Sequence, residues 1–93
     1  MPPPRKVPPL SAEHKALGDV LLKLRRRADL TQEQLAELAE TDLKQVGCIE
    51  RGTRNPSYST LVRLAVALGT RVGTITVKAD RLFDSRKRRL ARD

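Results

Sequence analysis

The first two-thirds of the chain alternate stretches of apolar residues at helical spacing with short polar segments. Each of four such stretches follows a Ser, Thr or Asp, whose side-chain oxygens commonly cap helix N-termini. The last two stretches stop at or just before a glycine, which suits the backbone after a helix C-terminus. The pattern predicts four helices, which run from Ser11 to near Ala28, from Thr31 to near Ala39, from Asp42 to about Arg51, and from Ser57 to Gly69.

One side of each predicted helix carries the apolar residues that we expect to face the core. With one Phe, one Tyr and no Trp, this core must be aliphatic. The residues expected to face inward are Leu17, Leu21, Leu24 and Ala28 in the first helix, Leu35, Leu38 and Ala39 in the second, Val46 and Ile49 in the third, and Leu61, Leu64, Ala65 and Leu68 in the fourth.

Both ends of the chain differ from this helical region. Residues 1–10 contain five of the six prolines, which remove backbone donors and disfavour helix, so we expect a disordered arm. Beyond Gly69 a short helix from Val72 is favoured, although the β-branched run 74–77 could be extended. Residues 77–93 form a basic tail, whose charge run indicates a disordered arm that attracts phosphate. The expected domain therefore covers residues 11–76.

Composition restricts the classes of function. Nineteen Lys and Arg against eleven Asp and Glu give a net charge of +8, which favours a polyanion such as nucleic acid or an anionic membrane surface. No apolar run reaches membrane-spanning length, so we expect a cytoplasmic, nucleoid-associated protein without a membrane partner. A single Cys48 and a single His14 predict neither a disulfide nor a metal site or cofactor. No catalytic constellation is present, and we predict that the chain is not an enzyme.

The second and third helices are short and are joined by a tight turn, Glu40-Thr41. This is the arrangement that places a recognition helix in the major groove of DNA. The surrounding sequence, from about Leu17 to Ile75, resembles the phage-repressor-like (Xre-type) helix-turn-helix family. The matching strings are Leu17-Gly18, Leu24-Arg25, Thr31-Gln32-Glu33-Gln34-Leu35-Ala36, Ile49-Glu50-Arg51-Gly52, Arg54-Asn55-Pro56-Ser57 and the segment from Leu61 to Gly69.

The resemblance implies an all-α, compact five-helix domain that binds double-stranded DNA sequence-specifically as a transcriptional regulator. It further implies a repressor that acts as a homodimer on an inverted repeat, with helix three in the major groove. The residues that match base-contacting positions of the family are Leu43, Lys44, Gln45, Gly47 and Cys48. Those that match phosphate contacts are Gln32, Arg51, Thr53, Arg54 and Asn55. Arg25 and Glu50 match a structural ion pair between helices one and three.

The chemistry of these side chains agrees with such roles. Lys44 can donate to guanine acceptors, while Leu43 and Cys48 could contact thymine methyl groups, although Cys48 is equally suited to be a small filler at the surface. Leu43 stands where family members often carry an amide or hydroxyl side chain, and Glu40 and Asp42 place negative charge near the expected backbone path. Direct base contacts would therefore be few, and DNA shape would contribute more of the specificity.

The sequence leaves open which partners the chain binds and through which surface. Helix five and residues 76–90, with Ile75, Val77, Leu82 and Phe83 in excess of what a small core needs, are the expected dimer surface. Alternatively, residues 70–93 bind a protein partner, as in the antitoxin of a toxin-antitoxin module or a bridging adaptor. Nonspecific nucleic-acid or RNA binding is a third reading. His14 lies outside the motif and is expected to be a solvated helix residue.

Overall fold

The computed structural model describes residues 6–92, and in this part of the chain five α-helices and no strand are found. The all-α, five-helix prediction is therefore confirmed. Residues 1–5 of the predicted arm lie outside the described residues, whereas residues 6–10 are described and belong to no helix. The helices are α1 (Ala12–Arg27), α2 (Gln32–Leu38), α3 (Leu43–Glu50), α4 (Tyr58–Ala67) and α5 (Val72–Arg92).

The predicted N-caps determine where the first four helices begin. Each cap side chain accepts a hydrogen bond from the backbone N–H three residues later, which satisfies a donor that the helix leaves unpaired. In α2 the bond is reciprocal, because the Gln34 side chain accepts from the Thr31 N–H at 2.9 Å. The four caps are Ser11, Thr31, Asp42 and Ser57.

The core is aliphatic, as predicted, and α1 runs through it in contact with both α3 and α5. Its close approach to α3 depends on Gly18. A Cβ atom at Gly18 would clash with the backbone carbonyls of Ile49 and Glu50, so only glycine fits this crossing. The largest fully buried side chains are Leu21, Leu35, Val46, Ile49, Leu64 and Ile75.

Two residues expected to face inward are instead exposed. Leu38 is 59% exposed, and Ala36 is buried in its place. The reason is rotational, because Leu35, Ala36 and Ala39 together define the buried side of α2, and Leu38 lies outside that arc. Ala28 is exposed because it caps the C-terminus of α1, where the chain leaves the helix.

The fifth helix is longer than the short helix predicted from Val72, and it continues to Arg92 through the segment expected to be a disordered basic tail. Ile75 is fully buried, so it cannot belong to a dimer surface as expected, whereas Leu82 packs against the core but is only partly buried. Further along, Arg86 pairs with Asp19 of α1 at 2.7 Å. Packing against α1 therefore stabilises a helix that local sequence leaves ambiguous.

No single helix among residues 6–92 is both long and apolar enough to cross a membrane. Helix α4 and the stretch Val72–Ala91 of α5 have the length and apolar composition of a membrane span only when taken together, and the two helices meet at an angle of 100°. Helix α4 owes its apolar character to the core, to which it contributes Leu61, Leu64 and Ala65.

Candidate nucleic-acid interface

Helices α2 and α3 form a helix-turn-helix unit in which α3 presents one side to solvent. The turn between them passes through Glu40, whose φ of +54° is left-handed, and the Thr41 N–H donates to the Ala36 carbonyl at 2.9 Å. Val46 and Ile49 bury the inner side of α3. The opposite side is therefore free to enter a groove of DNA.

The first turn of α3 carries the most accessible of the residues expected to contact bases. Leu43 is 49% exposed and Lys44 is exposed as well. Gln45 is half-buried, and its side-chain oxygen accepts a hydrogen bond from the Thr41 hydroxyl. Because that bond uses the oxygen, the amide N–H groups of Gln45 stay available as donors to base acceptors.

The second turn of α3 is partly covered by the Arg51 side chain. Gly47 is buried, and a Cβ atom built on it would lie 3.1 Å from Arg51 Nη1. Arg51 Nη2 also lies 3.5 Å from the Sγ atom of Cys48, which is half-buried. Arg51 is the C-cap of α3, and its guanidinium folds back over the helix. The positively charged group therefore occupies the surface where Gly47 was expected to face bases.

Glu50, the last residue of α3, is buried and receives three hydrogen bonds. Arg25 of α1 donates through Nε at 2.6 Å and through Nη2 at 3.1 Å, and Gln32 donates through Nε2 at 2.8 Å. Arg25 also donates to the Leu30 carbonyl at 2.8 Å. The side chains of Arg25 and Glu50 are 11% and 4% exposed. This network ties α3 to α1 and to the start of α2, and it includes both members of the expected ion pair.

The loop after α3 carries the remaining residues expected to contact phosphate. Arg54 and Asn55 are exposed. The Thr53 hydroxyl donates to the Cys48 carbonyl at 3.1 Å, so its hydrogen is already used in ending α3. Gly52 opens the loop with a φ of +76°, a conformation that favours glycine.

Two residues near this loop, Leu10 and His14, were not expected to contact it. His14 Nε2 lies 3.2 Å from Asn55 Oδ1, and the Leu10 N–H donates to the Gly52 carbonyl at 2.8 Å. His14 was expected to be merely solvated, but it is half-buried and joins the first turn of α1 to the loop. Because 41 residues separate His14 from Asn55, no local sequence pattern signals this contact.

Comparison with known proteins agrees with this geometry. A family model described as a helix-turn-helix domain matches residues 16–74, which include all of α2, α3 and α4. The chain belongs to the helix-turn-helix domain family. DNA binding in transcription regulation is the function that this family and fold support, and the resemblance drawn from the sequence is confirmed.

Its relatives include regulators from bacteria and phage. An uncharacterised HTH-type transcriptional regulator, y4dJ of Sinorhizobium fredii, is 40% identical over 55 residues, covering 59% of this chain and 71% of that protein. The immunity repressor protein of Bacillus phage phi105 is 42% identical over 59 residues, which are 63% of this chain and 41% of the repressor. The crystal structure of the restriction-modification controller protein C.AhdI from Aeromonas hydrophila superimposes with a TM-score of 0.69 at 37% identity, covering 70% of this chain and 98% of that one.

Proposed function

We propose that the chain is a transcriptional repressor that binds an inverted repeat in double-stranded DNA as a homodimer, with α3 in the major groove. The observation that carries this proposal is the exposed first turn of α3, held in place by the buried network around Glu50. A braced recognition helix lowers the entropic cost of fitting side chains to base edges. The repressor role is supported by the similarity to a phage immunity repressor. The protein acts by binding rather than by catalysis, in the cytoplasm on the nucleoid.

The base contacts come from the outward side of α3. Lys44 donates to guanine acceptors, Gln45 donates through its free amide N–H groups, and Leu43 contacts a thymine methyl group. At the second turn of α3 the Arg51 side chain lies over Gly47 and Cys48, so its guanidinium, rather than Gly47 or Cys48, is the group that faces the DNA there.

The phosphate contacts surround this helix. Gln32 combines two roles, because its amide donates to Glu50 and retains a second N–H for a phosphate oxygen. Arg54 and Asn55 donate from the loop after α3. Thr53 has no free donor for a phosphate, because its hydroxyl and its backbone N–H both donate to the Cys48 carbonyl, and it serves to end α3. The net charge of +8 favours this binding to a polyanion.

The homodimer contact lies on α4 and the start of α5. Tyr58 and Val66 are 75% and 71% exposed, and with Val62 they recur every fourth residue on one side of α4. They border a shallow groove with Val72 at the start of α5. Exposed apolar side chains that line one continuous surface are typical of protein contacts. A second copy of the chain would bury them.

Selection of bound sequences from a pool of random duplexes tests this proposal. We expect enrichment of an inverted repeat whose half-site centres are about 10 base pairs apart, since each α3 covers only a few base pairs. Enrichment of a single unrepeated site would contradict the homodimer. A pool without any enriched sequence would contradict sequence-specific binding and would favour nonspecific nucleic-acid binding or a protein partner.

A further inference from the structure

The segment Lys6–Leu10 is attached to the domain at the C-terminal end of the recognition helix. The Leu10 N–H donates to the carbonyl of Gly52, immediately after the α3 C-cap, at 2.8 Å. The attachment is close, because a Cβ atom on Gly52 would lie 2.9 Å from the Cα and N atoms of Lys15. The loop after α3 thus packs directly on the first turns of α1, and the segment that precedes α1 is brought beside it.

A second contact supports the same arrangement. His14 Nδ1 lies 2.6 Å from the Ser11 hydroxyl, and Nε2 lies 3.2 Å from the Asn55 side-chain oxygen. The two distances let the Ser11 hydroxyl donate to Nδ1 while the Nε2–H donates to the Asn55 side-chain oxygen. The segment before α1 and the first turn of α1 therefore hold the loop at two points, Gly52 and Asn55.

This arrangement forms an open groove between the segment and the end of α3. Lys6, Val7 and Pro9 border it on one side, and Cys48, Arg51 and Thr53 border it on the other. Lys15 borders it too, although its ammonium pairs with Asp19 at 2.9 Å. Among the described residues that line the groove, none is acidic. Lys6 and Arg51 are both exposed and carry the available positive charge.

We propose that this groove is a further binding site for the DNA backbone, in which Lys6 joins Arg51, already expected to contact phosphate, at a phosphate beyond those bound by Gln32, Arg54 and Asn55. The inference deepens the proposed function and rests on it. Two features favour a phosphodiester as the occupant: the described part of the groove is lined by the cations of Lys6 and Arg51 and by no acidic residue, and it lies next to the outward side of α3. Pro8 and Pro9 fix two φ angles between Lys6 and the anchor at Leu10, so holding Lys6 at the DNA costs little conformational entropy.

The experiment uses the full chain and the duplex enriched in the selection above, with binding measured across a series of monovalent salt concentrations. Lys6→Ala removes the charge, and Lys23→Ala is its matched control, because Lys23 is an exposed lysine of α1 on the side that faces α5 rather than the end of α3. Leu10→Pro removes the N–H that anchors the segment but keeps Lys6. Its control is Leu10→Ala, which removes the same exposed leucine side chain but keeps the backbone N–H. Circular dichroism establishes that all four variants are folded.

We expect Lys6→Ala to lower the magnitude of the salt slope by about one unit, and affinity at 0.1 M salt by up to about eight-fold, because one phosphate contact releases about 0.9 counterion. Leu10→Pro should also lower the magnitude of the salt slope and the affinity, whereas Leu10→Ala and Lys23→Ala should bind like the parent chain. The inference is overturned if Lys6→Ala behaves like Lys23→Ala. It is also overturned if Leu10→Pro binds like Leu10→Ala, since the charge would then act without the anchored groove.

The outcome for the parent chain separates this inference from the proposed function. If the parent chain enriches no duplex sequence, the proposed function fails. If it binds an enriched duplex with high affinity while the Lys6 and Leu10 variants leave that binding unchanged, only the additional backbone site fails.

Discussion

The Arg25 side chain donates two hydrogen bonds to the Glu50 carboxylate, which joins α1 to the last residue of the recognition helix. Both side chains are nearly excluded from solvent, at 11% and 4% exposure. An ion pair in such a place costs desolvation energy and is often no more stabilising than a packed apolar pair. The pair instead orients the recognition helix, because the two hydrogen bonds from the planar guanidinium hold α3 at a fixed angle to α1.

Removing one member of this pair should be costly. Arg25→Ala leaves Glu50 buried with the Gln32 amide as its remaining partner, and we expect a loss of roughly 3 kcal/mol in the free energy of unfolding. Arg26→Ala is the control, because Arg26 is an exposed neighbour of the same charge. Thermal and denaturant melting measure both. Equal losses in the two variants would show that the pair does not brace the fold.

The crossing of α1 and α3 gives a second test of the packing. Gly18→Ala should destabilise the domain by at least about 2 kcal/mol, because the added methyl group would overlap the carbonyls of Ile49 and Glu50 and force the helices apart. Gly73→Ala, in α5, meets no atom within 4 Å and should raise stability by up to about 1 kcal/mol. Denaturant unfolding compares the two. A Gly18→Ala variant as stable as the parent would contradict the close crossing.

The turn between α2 and α3 contains strain that glycine should relieve. Glu40 has a φ of +54°, which is unfavourable for a side chain with a Cβ atom. We expect Glu40→Gly to raise the free energy of unfolding by about 1 kcal/mol. Glu37→Gly makes the same chemical change inside α2 and should lower it by a similar amount. If the two variants shift the melting temperature in the same direction, the left-handed conformation assigned to Glu40 is wrong.

Much of this architecture follows from local sequence signals. Ser11, Thr31, Asp42 and Ser57 mark the starts of four helices because capping depends on residues only three positions apart. The length of helix α5 could not be predicted from such local signals. Its β-branched residues and charge run are ambiguous locally, and it is stabilised by tertiary contacts such as the pair of Arg86 with Asp19, 67 residues apart in the chain.

In the candidate interface, too, some features could be predicted from local sequence and others could not. The positions of Leu43 and Lys44 on the outward side of α3 could be predicted from helical periodicity. The covering of Gly47 by Arg51 could not, because it depends on the rotamer of a flexible side chain. The contacts of Leu10 with Gly52 and of His14 with Asn55 also lay beyond prediction, since they join segments that only the folded chain brings together.

The proposed dimer surface is tested by a charge placed on α4. Val66→Glu should leave the monomer folded, because this side chain is 71% exposed, but it should abolish cooperative binding to a duplex with two half-sites. Leu90→Glu changes a residue of similar exposure near the end of α5 and should leave cooperativity intact. Gel-shift titration resolves one-copy and two-copy complexes. Retained cooperativity in Val66→Glu would exclude this surface as the homodimer contact.

The central claim is that α3 recognises the DNA sequence while the loop after it binds the DNA backbone. The binding specificity of two variants tests this claim. Binding of Lys44→Ala and Arg54→Ala is measured on the enriched duplex and on a scrambled duplex across a salt series. Arg54→Ala should weaken both duplexes alike and lower the magnitude of the salt slope by about one unit, because phosphate contacts carry no sequence information. Lys44→Ala should weaken the enriched duplex selectively, by roughly 1–3 kcal/mol. If Lys44→Ala instead weakens both duplexes equally, Lys44 is a backbone contact and the claim that it selects the sequence is contradicted.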